Sequence, residues 1–236
     1  MIVQIYEVTT PAEARALRAM DVDHIGVLVG DGSFPRELTI EKTREIFAAI
    51  PAGSKACLLS LSNDLDLIAR LTAALKPDIL HLGAAPQHLS PEQLRALKPE
   101  FWQVSQMGSI PVIDESSISL ARSYDGIVDW LLLDSYESGD RQIGALGVTH
   151  SWEPDRRIIE RVRIPAIIAG GLGSENVQDA IRVARPAGVD SKTKTDKNDA
   201  THKKDLQKVS AFLNAARCSK LCDHLTPVVS REKAVD

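Results

Sequence analysis

Four polar residues stand where apolar runs end, and their types suit proton transfer and anion binding. Asp134 closes the run Leu131-Leu-Leu133. A carboxyl ending so apolar a run is partly desolvated, the environment of a general acid; the structural alternative is a carboxylate that fixes its loop by accepting backbone N–H bonds. His81 alternates with Leu80 and Leu82 and so points to one face of a strand, as a base or as a hydrogen-bonded core histidine. Glu7 ends the first apolar run and reads as a base or an ion-pair partner. Arg36 follows Pro35 in a mobile-looking loop, where it could fork onto a substrate carboxylate or remain a solvated charge. Ser62, Asn63, Gln106 and His150 occupy comparable places after other runs.

A second kind of chemistry is written near the C-terminal end. Ile164-Pro-Ala-Ile-Ile-Ala169 reads as a fully buried strand running into Gly170-Gly171-Leu172-Gly173, and Ser174 reads as the cap of a helix over 175–184. Pro186 stops that helix, and Gly188-Val-Asp190 opens another strand. Glycines let the backbone approach a ligand and leave N–H groups for an anion. Two consecutive strand-to-helix turns of this kind hold phosphate in many α/β barrels. The candidates are Gly170, Gly171, Asp190, Ser191, Lys192 and Thr193; tight turns alone are the plainer alternative.

Positioning these residues requires a repeated scaffold. Apolar runs predict strands over 2–6, 24–29, 55–60, 78–82, 102–107, 129–134, 164–169 and 188–190. Helical periodicity and cap residues predict helices over 12–20, 39–50, 64–75, 90–97, 116–123, 153–162, 175–184 and 204–216. Eightfold alternation predicts a (β/α)8 TIM barrel, with chemistry at the C-terminal ends of the strands. Residues 1–216 make one domain, and 217–236 read as a mobile tail.

Composition narrows the function. The 236 residues carry 28 Lys and Arg against 32 Asp and Glu, a net charge of −4, with 4% aromatics. Neither a basic field nor stacking platforms mark a nucleic-acid binder. No apolar run approaches a membrane span, and Met1-Ile-Val-Gln-Ile5 enters a strand pattern without signal-peptide regions. Three cysteines without disulfide spacing suit the cytoplasm; Cys218-x-x-x-Cys222 near His224 lies in the tail and is not read as a metal site. No cofactor is expected, and the state is monomer or homodimer.

Several segments in order resemble one family. They are Asp23-His-Ile-Gly26, Ser33-Phe-Pro-Arg36 with Thr39-Ile-Glu41, Leu131-Leu-Leu-Asp-Ser135, and Gly144-Ala-Leu-Gly147 to Trp152. Ala169-Gly-Gly-Leu172, Glu175-Asn-Val177 and Gly188-Val-Asp190 complete the set. Over roughly 1–216 the chain resembles phosphoribosylanthranilate isomerases, tryptophan-pathway TIM barrels. The resemblance implies an Amadori rearrangement of a phosphoribosyl-amine: Asp134 as acid, Arg36 on the anthranilate carboxylate with Tyr6 and His150 as further substrate contacts, and phosphate at the last two turns.

The pattern also departs from that family. Its first-strand K-I-C-G-L-T, whose cysteine is the base, here reads Gln4-Ile-Tyr-Glu-Val-Thr9, so Tyr6 replaces the cysteine. A neutral phenol is a poor base, and Glu7 or His81 must substitute if the reaction survives. Strand alternation turns Glu7 away from Tyr6 unless the strand end twists. The family's Q-L-H-G is His81-Leu-Gly-Ala84, its sixth-loop lysine falls at Val148, and Lys194 stands where its last phosphate turn has glycine. Lys192 and Lys194 could meet phosphate as point charges. The alternatives are a paralogue with aldolase or lyase chemistry, metal-assisted through Glu7, His81, Asp134 and His150, or a catalytically silent phosphate-binding barrel.

Overall fold

The computed structural model describes residues 1–97, 103–135, 151–199 and 201–222. Helix starts follow local chemistry. At α1 (Pro11–Ala19) Thr10 accepts from the Glu13 amide at 3.2 Å while Glu13 reaches back to the Thr10 amide at 3.1 Å, a reciprocal capping box with Pro11 at the first position. Thr39 caps α2 (Ile40–Ala48) and Asp64 caps α3 (Leu65–Leu75) through side-chain oxygens. Thr10→Ala removes one half of that box. It is expected to lower stability by about 1 kcal/mol, read as a lower urea midpoint at unchanged slope.

Eight strands alternate with the helices: β1 Ile2–Ile5, β2 His24–Leu28, β3 Lys55–Ser60, β4 Ile79–Leu82, β5 Ser105–Pro111, β6 Trp130–Asp134, β7 Ala166–Ile168 and β8 Gly188–Ser191. Each pairs in parallel with the next, and β8 returns to β1 through Ile2↔Gly188 to Ile5↔Ser191, closing the barrel. The remaining helices are α4 Pro91–Leu97, α5 Ser116–Ser123, α6 Glu153–Ile159, α7 Val177–Ala184 and α8 Leu206–Cys222. This is the expected (β/α)8 TIM barrel. Cys57, Ile79, Met107, Leu132 and Ile167 pack in one cluster inside the ring, and a larger apolar layer lies between strands and helices. Among the described residues no helix is long and apolar enough to cross a membrane.

Two elements differ from expectation. The fifth strand begins at Ser105 and continues through Pro111, pairing Met107↔Trp130 to Pro111↔Asp134. Gln106 therefore sits near the strand's start, and Ser109 is the β5 residue at the barrel mouth. Gly108 and Pro111, types that usually interrupt strands, are both paired within β5. At the chain's other end α8 extends to Cys222, past the expected end at 216.

Candidate active site

The C-terminal strand ends bring Tyr6, Glu7, Arg36, His81, Ser109, Asp134, Asp190 and Lys192 around one cavity. Glu7 would face outward by alternation, but its backbone turns left-handed (φ 56°) directly after β1, and the carboxyl swings into the mouth. There Arg36 Nε donates to Oε2 at 2.7 Å and Nη2 to Oε1 at 3.2 Å, while Lys192 Nζ lies 3.2 Å from Oε1. Burial works to raise the Glu7 carboxyl; the arginine and lysine override it and hold the group below the usual carboxylate range. The Arg36 loop is tied down rather than loose. Glu37 Oε2 accepts from the Gly32 and Phe34 amides, and Leu38 N–H donates to Leu28 O.

Beneath this ion cluster the floor is a neutral chain. The Tyr6 hydroxyl lies 2.7 Å from His81 Nδ1, and His81 Nε2 lies 2.8 Å from Ser109 Oγ. Burial pushes His81 down to about 3 and the Tyr6 phenol well above its usual value, so neither ionises near neutrality. The phenol fits because Gly26 has no side chain; a Cβ there would lie 2.0 Å from the tyrosine ring. Ser109 escaped sequence reading because β5 was expected to end before it. Tyr6→Phe strips Nδ1 of its buried partner, and a loss of about 1–3 kcal/mol is expected by urea denaturation.

Asp134 is buried at the end of β6, its Oδ1 accepting from the Ser135 amide at 2.7 Å, and it faces the same space as Asp190 on β8. It thus combines the loop-fixing bond with a place on the cavity wall. Burial first, then the Asp134 charge, pushes Asp190 up to about 8, although Gln4 Nε2 donates to it at 3.3 Å. Asp190 therefore keeps its proton at neutral pH beside Asp134, the two making one acid pair in the cavity wall.

A second recess adjoins the first, lined by Gly170, Gly171, Ser191, Lys192, Thr193 and Lys194 with Asp134 and Asp190 at its edge. Gly170 (φ 88°) and Gly171 (φ 60°) both need the left-handed region that glycine tolerates. Asn176, not Ser174, organises the turn: it accepts from the Gly173 amide and donates to Gly171 O. A short 3₁₀ turn, Thr193–Thr195, replaces a glycine turn at Lys194, whose ammonium pairs with Glu175 at 3.3 Å. Lys204, its ammonium fully buried, donates to Lys192 O at 3.3 Å and to Asp196 at 2.6 Å, fixing that turn from behind.

Expected residues fall into place unevenly. Tyr6, Glu7, Arg36, His81 and Asp134 converge on the cavity, and the six phosphate candidates converge on the recess. Ser62 and Asn63 line a separate depression with Asp31 and His88. Gln106 lies below the mouth, its backbone N–H donating to Asp129 Oδ2. His150 and Val148 lie outside the described residues. No group of three metal-type ligands occurs among the described residues.

A closed (β/α)8 barrel with carboxyls and cations gathered at its C-terminal mouth defines an α/β-barrel enzyme scaffold. The family model for N-(5'-phosphoribosyl)anthranilate isomerase matches residues 8–215. This chain belongs to the N-(5'-phosphoribosyl)anthranilate isomerase family. The isomerase of Methanocella arvoryzae is 33% identical, over 92% of this chain and 99% of its own. That of Haloferax volcanii is 30% identical, over 92% and 94%. A solved phosphoribosyl anthranilate isomerase in complex with reduced 1-(o-carboxyphenylamino)-1-deoxyribulose 5-phosphate superposes with a TM-score of 0.74 at 21% identity, covering 92% and 99%.

Proposed function

We propose that the protein isomerises N-(5'-phosphoribosyl)anthranilate, in the cytoplasm, with Asp134 as the acid and Glu7 as the base. Family membership supports the reaction, and one observation carries the base assignment: Glu7 turns into the mouth at the position next to the family's missing cysteine. In this reading Asp134 protonates the ribose ring oxygen, the ring opens, and a C1 imine forms. Glu7, ionised at neutral pH, takes the C2 proton. The resulting enolamine gains a proton at C1 and loses one from its C2 oxygen, leaving a 1-amino-1-deoxyketose. Arg36 grips the anthranilate carboxylate, and the Gly170–Gly171 turn with Lys192 receives the phosphate. Tyr6, His81 and Ser109 form a wall that stays neutral during turnover.

Direct turnover of the ribosylamine phosphate by the purified protein tests the reading, and no product at high enzyme concentration would overturn it. The pH profile is a second check. Glu7 must be ionised, so kcat/KM falls as pH drops through its lowered value; the acid pair must hold its proton, so kcat/KM falls as pH rises past about 8. Asp190→Asn is expected to move the alkaline limb and leave the acid limb in place. An unmoved alkaline limb in that variant would separate Asp190 from the proton donor.

A further inference from the structure

Glu7 is bonded to the very cations that the proposed reaction assigns to substrate anions. Its carboxylate holds Arg36 by two guanidinium nitrogens and Lys192 by a third contact, with 9% of its side chain exposed. Its backbone sits where side chains are disfavoured, at φ 56°, a conformation costing about 1–3 kcal/mol outside glycine. A strained, chelated carboxylate occupies the position that is glycine in the family motif. We propose that Glu7 is an internal stand-in for the substrate's anions, which must displace it from Arg36 and Lys192, and that this exchange frees Glu7 to act as the base. The inference rests on the function proposed above, and it restricts the substrate to molecules with an anionic group at each end, a carboxylate for Arg36 and a phosphate beside Lys192.

The charges around Glu7 make the exchange productive. Arg36 reaches it from the loop after β2 and Lys192 from the end of β8; Asp134 on β6 and Asp190 on β8 share the cavity, and Asp196 lies behind Lys192. The hydrogen-bonded Tyr6 and His81 below bring no charge. While the cations are bound, Glu7 is held ionised but weakly basic. Once both turn to the substrate, burial and the neighbouring carboxylates, opposed only by the Lys204 ammonium that is itself paired with Asp196, favour the protonated form. The base thus strengthens only when both ends of the substrate are seated, and the C2 proton has a destination only then.

The probe is reduced 1-(o-carboxyphenylamino)-1-deoxyribulose 5-phosphate, which carries both anions and does not turn over. Titration calorimetry in buffers of different ionisation enthalpy, on wild type, Glu7→Gln and Glu7→Gly, reads affinity and proton uptake together. Exchange predicts that the probe binds both variants about tenfold tighter or more than wild type. It also predicts proton uptake near pH 5 in wild type and none attributable to this site in either variant. Equal or weaker binding by both variants, with unchanged uptake, overturns the exchange and leaves the isomerase reading intact. Failure of all three proteins to bind the probe overturns the isomerase reading together with the exchange.

Discussion

Asp134→Asn is expected to lower kcat by about 10²–10⁴ while leaving affinity for the reduced product analogue within a few-fold. The amide keeps the shape of the carboxyl, and its oxygen can still accept the Ser135 N–H that Asp134 Oδ1 takes at 2.7 Å, so the end of β6 stays in place. What is lost is the proton for the ring oxygen. At 1.36 kcal/mol per decade that loss corresponds to about 3–5 kcal/mol of barrier. Single-turnover kinetics separate the outcomes: a slowed chemical step with intact binding supports the acid assignment, whereas full activity places the proton elsewhere. Loss of binding without loss of chemistry would make Asp134 a structural carboxylate after all.

The second large effect concerns stability. Asp196 and the Lys204 ammonium pair at 2.6 Å, and the ammonium is 0% exposed. Burial pushes the aspartate up and the lysine down, each towards its uncharged form, so the attraction between them is what sustains both charges. Asp196→Ala leaves an ammonium without a counter-charge. A loss of about 3–5 kcal/mol is expected. The double variant Asp196→Leu with Lys204→Met removes both charges and should recover much of it, because an apolar pair of similar volume often matches a buried ion pair. Urea denaturation of the single and double variants decides the matter; a single variant within about 0.5 kcal/mol of wild type would mean that the Lys192 carbonyl, which the ammonium also reaches at 3.3 Å, and water suffice to hold the charge.

The barrel was legible because buried parallel strands leave an unmistakable record, apolar runs at regular intervals with capped helices between them. Leu131-Leu-Leu133 and Ile164–Ala169 announce themselves in this way. Strand β5 was less clear, since Gly108 and Pro111 weaken the pattern although both are paired in the sheet. The turn proposed for phosphate could be read from Gly170 and Gly171, whose dihedral demands are local. Glu7 could not be placed. Alternation pointed it outward, and only the left-handed turn after Ile5 brings it in. The Tyr6–His81–Ser109 chain was likewise hidden: it joins residues up to 103 positions apart, and nothing local marks a tyrosine as the partner of a distant histidine. Arg36 was recognised for its fork but not for its occupant, a carboxylate that enters from another strand.

The anchoring of Lys192 has a consequence for the order in which the molecule is made. Its carbonyl is held by Lys204, whose own amide donates to Glu13 on α1 at 2.9 Å, while Lys208 reaches Asp196 O at 2.7 Å. The first helix is thus fastened to a segment emerging almost two hundred residues later. On the ribosome, the ring cannot close before β8, which pairs with β1, has emerged, and the anion recess is complete only once Lys208 has followed it. A nascent chain of this protein would therefore close its scaffold and finish its anion recess almost together.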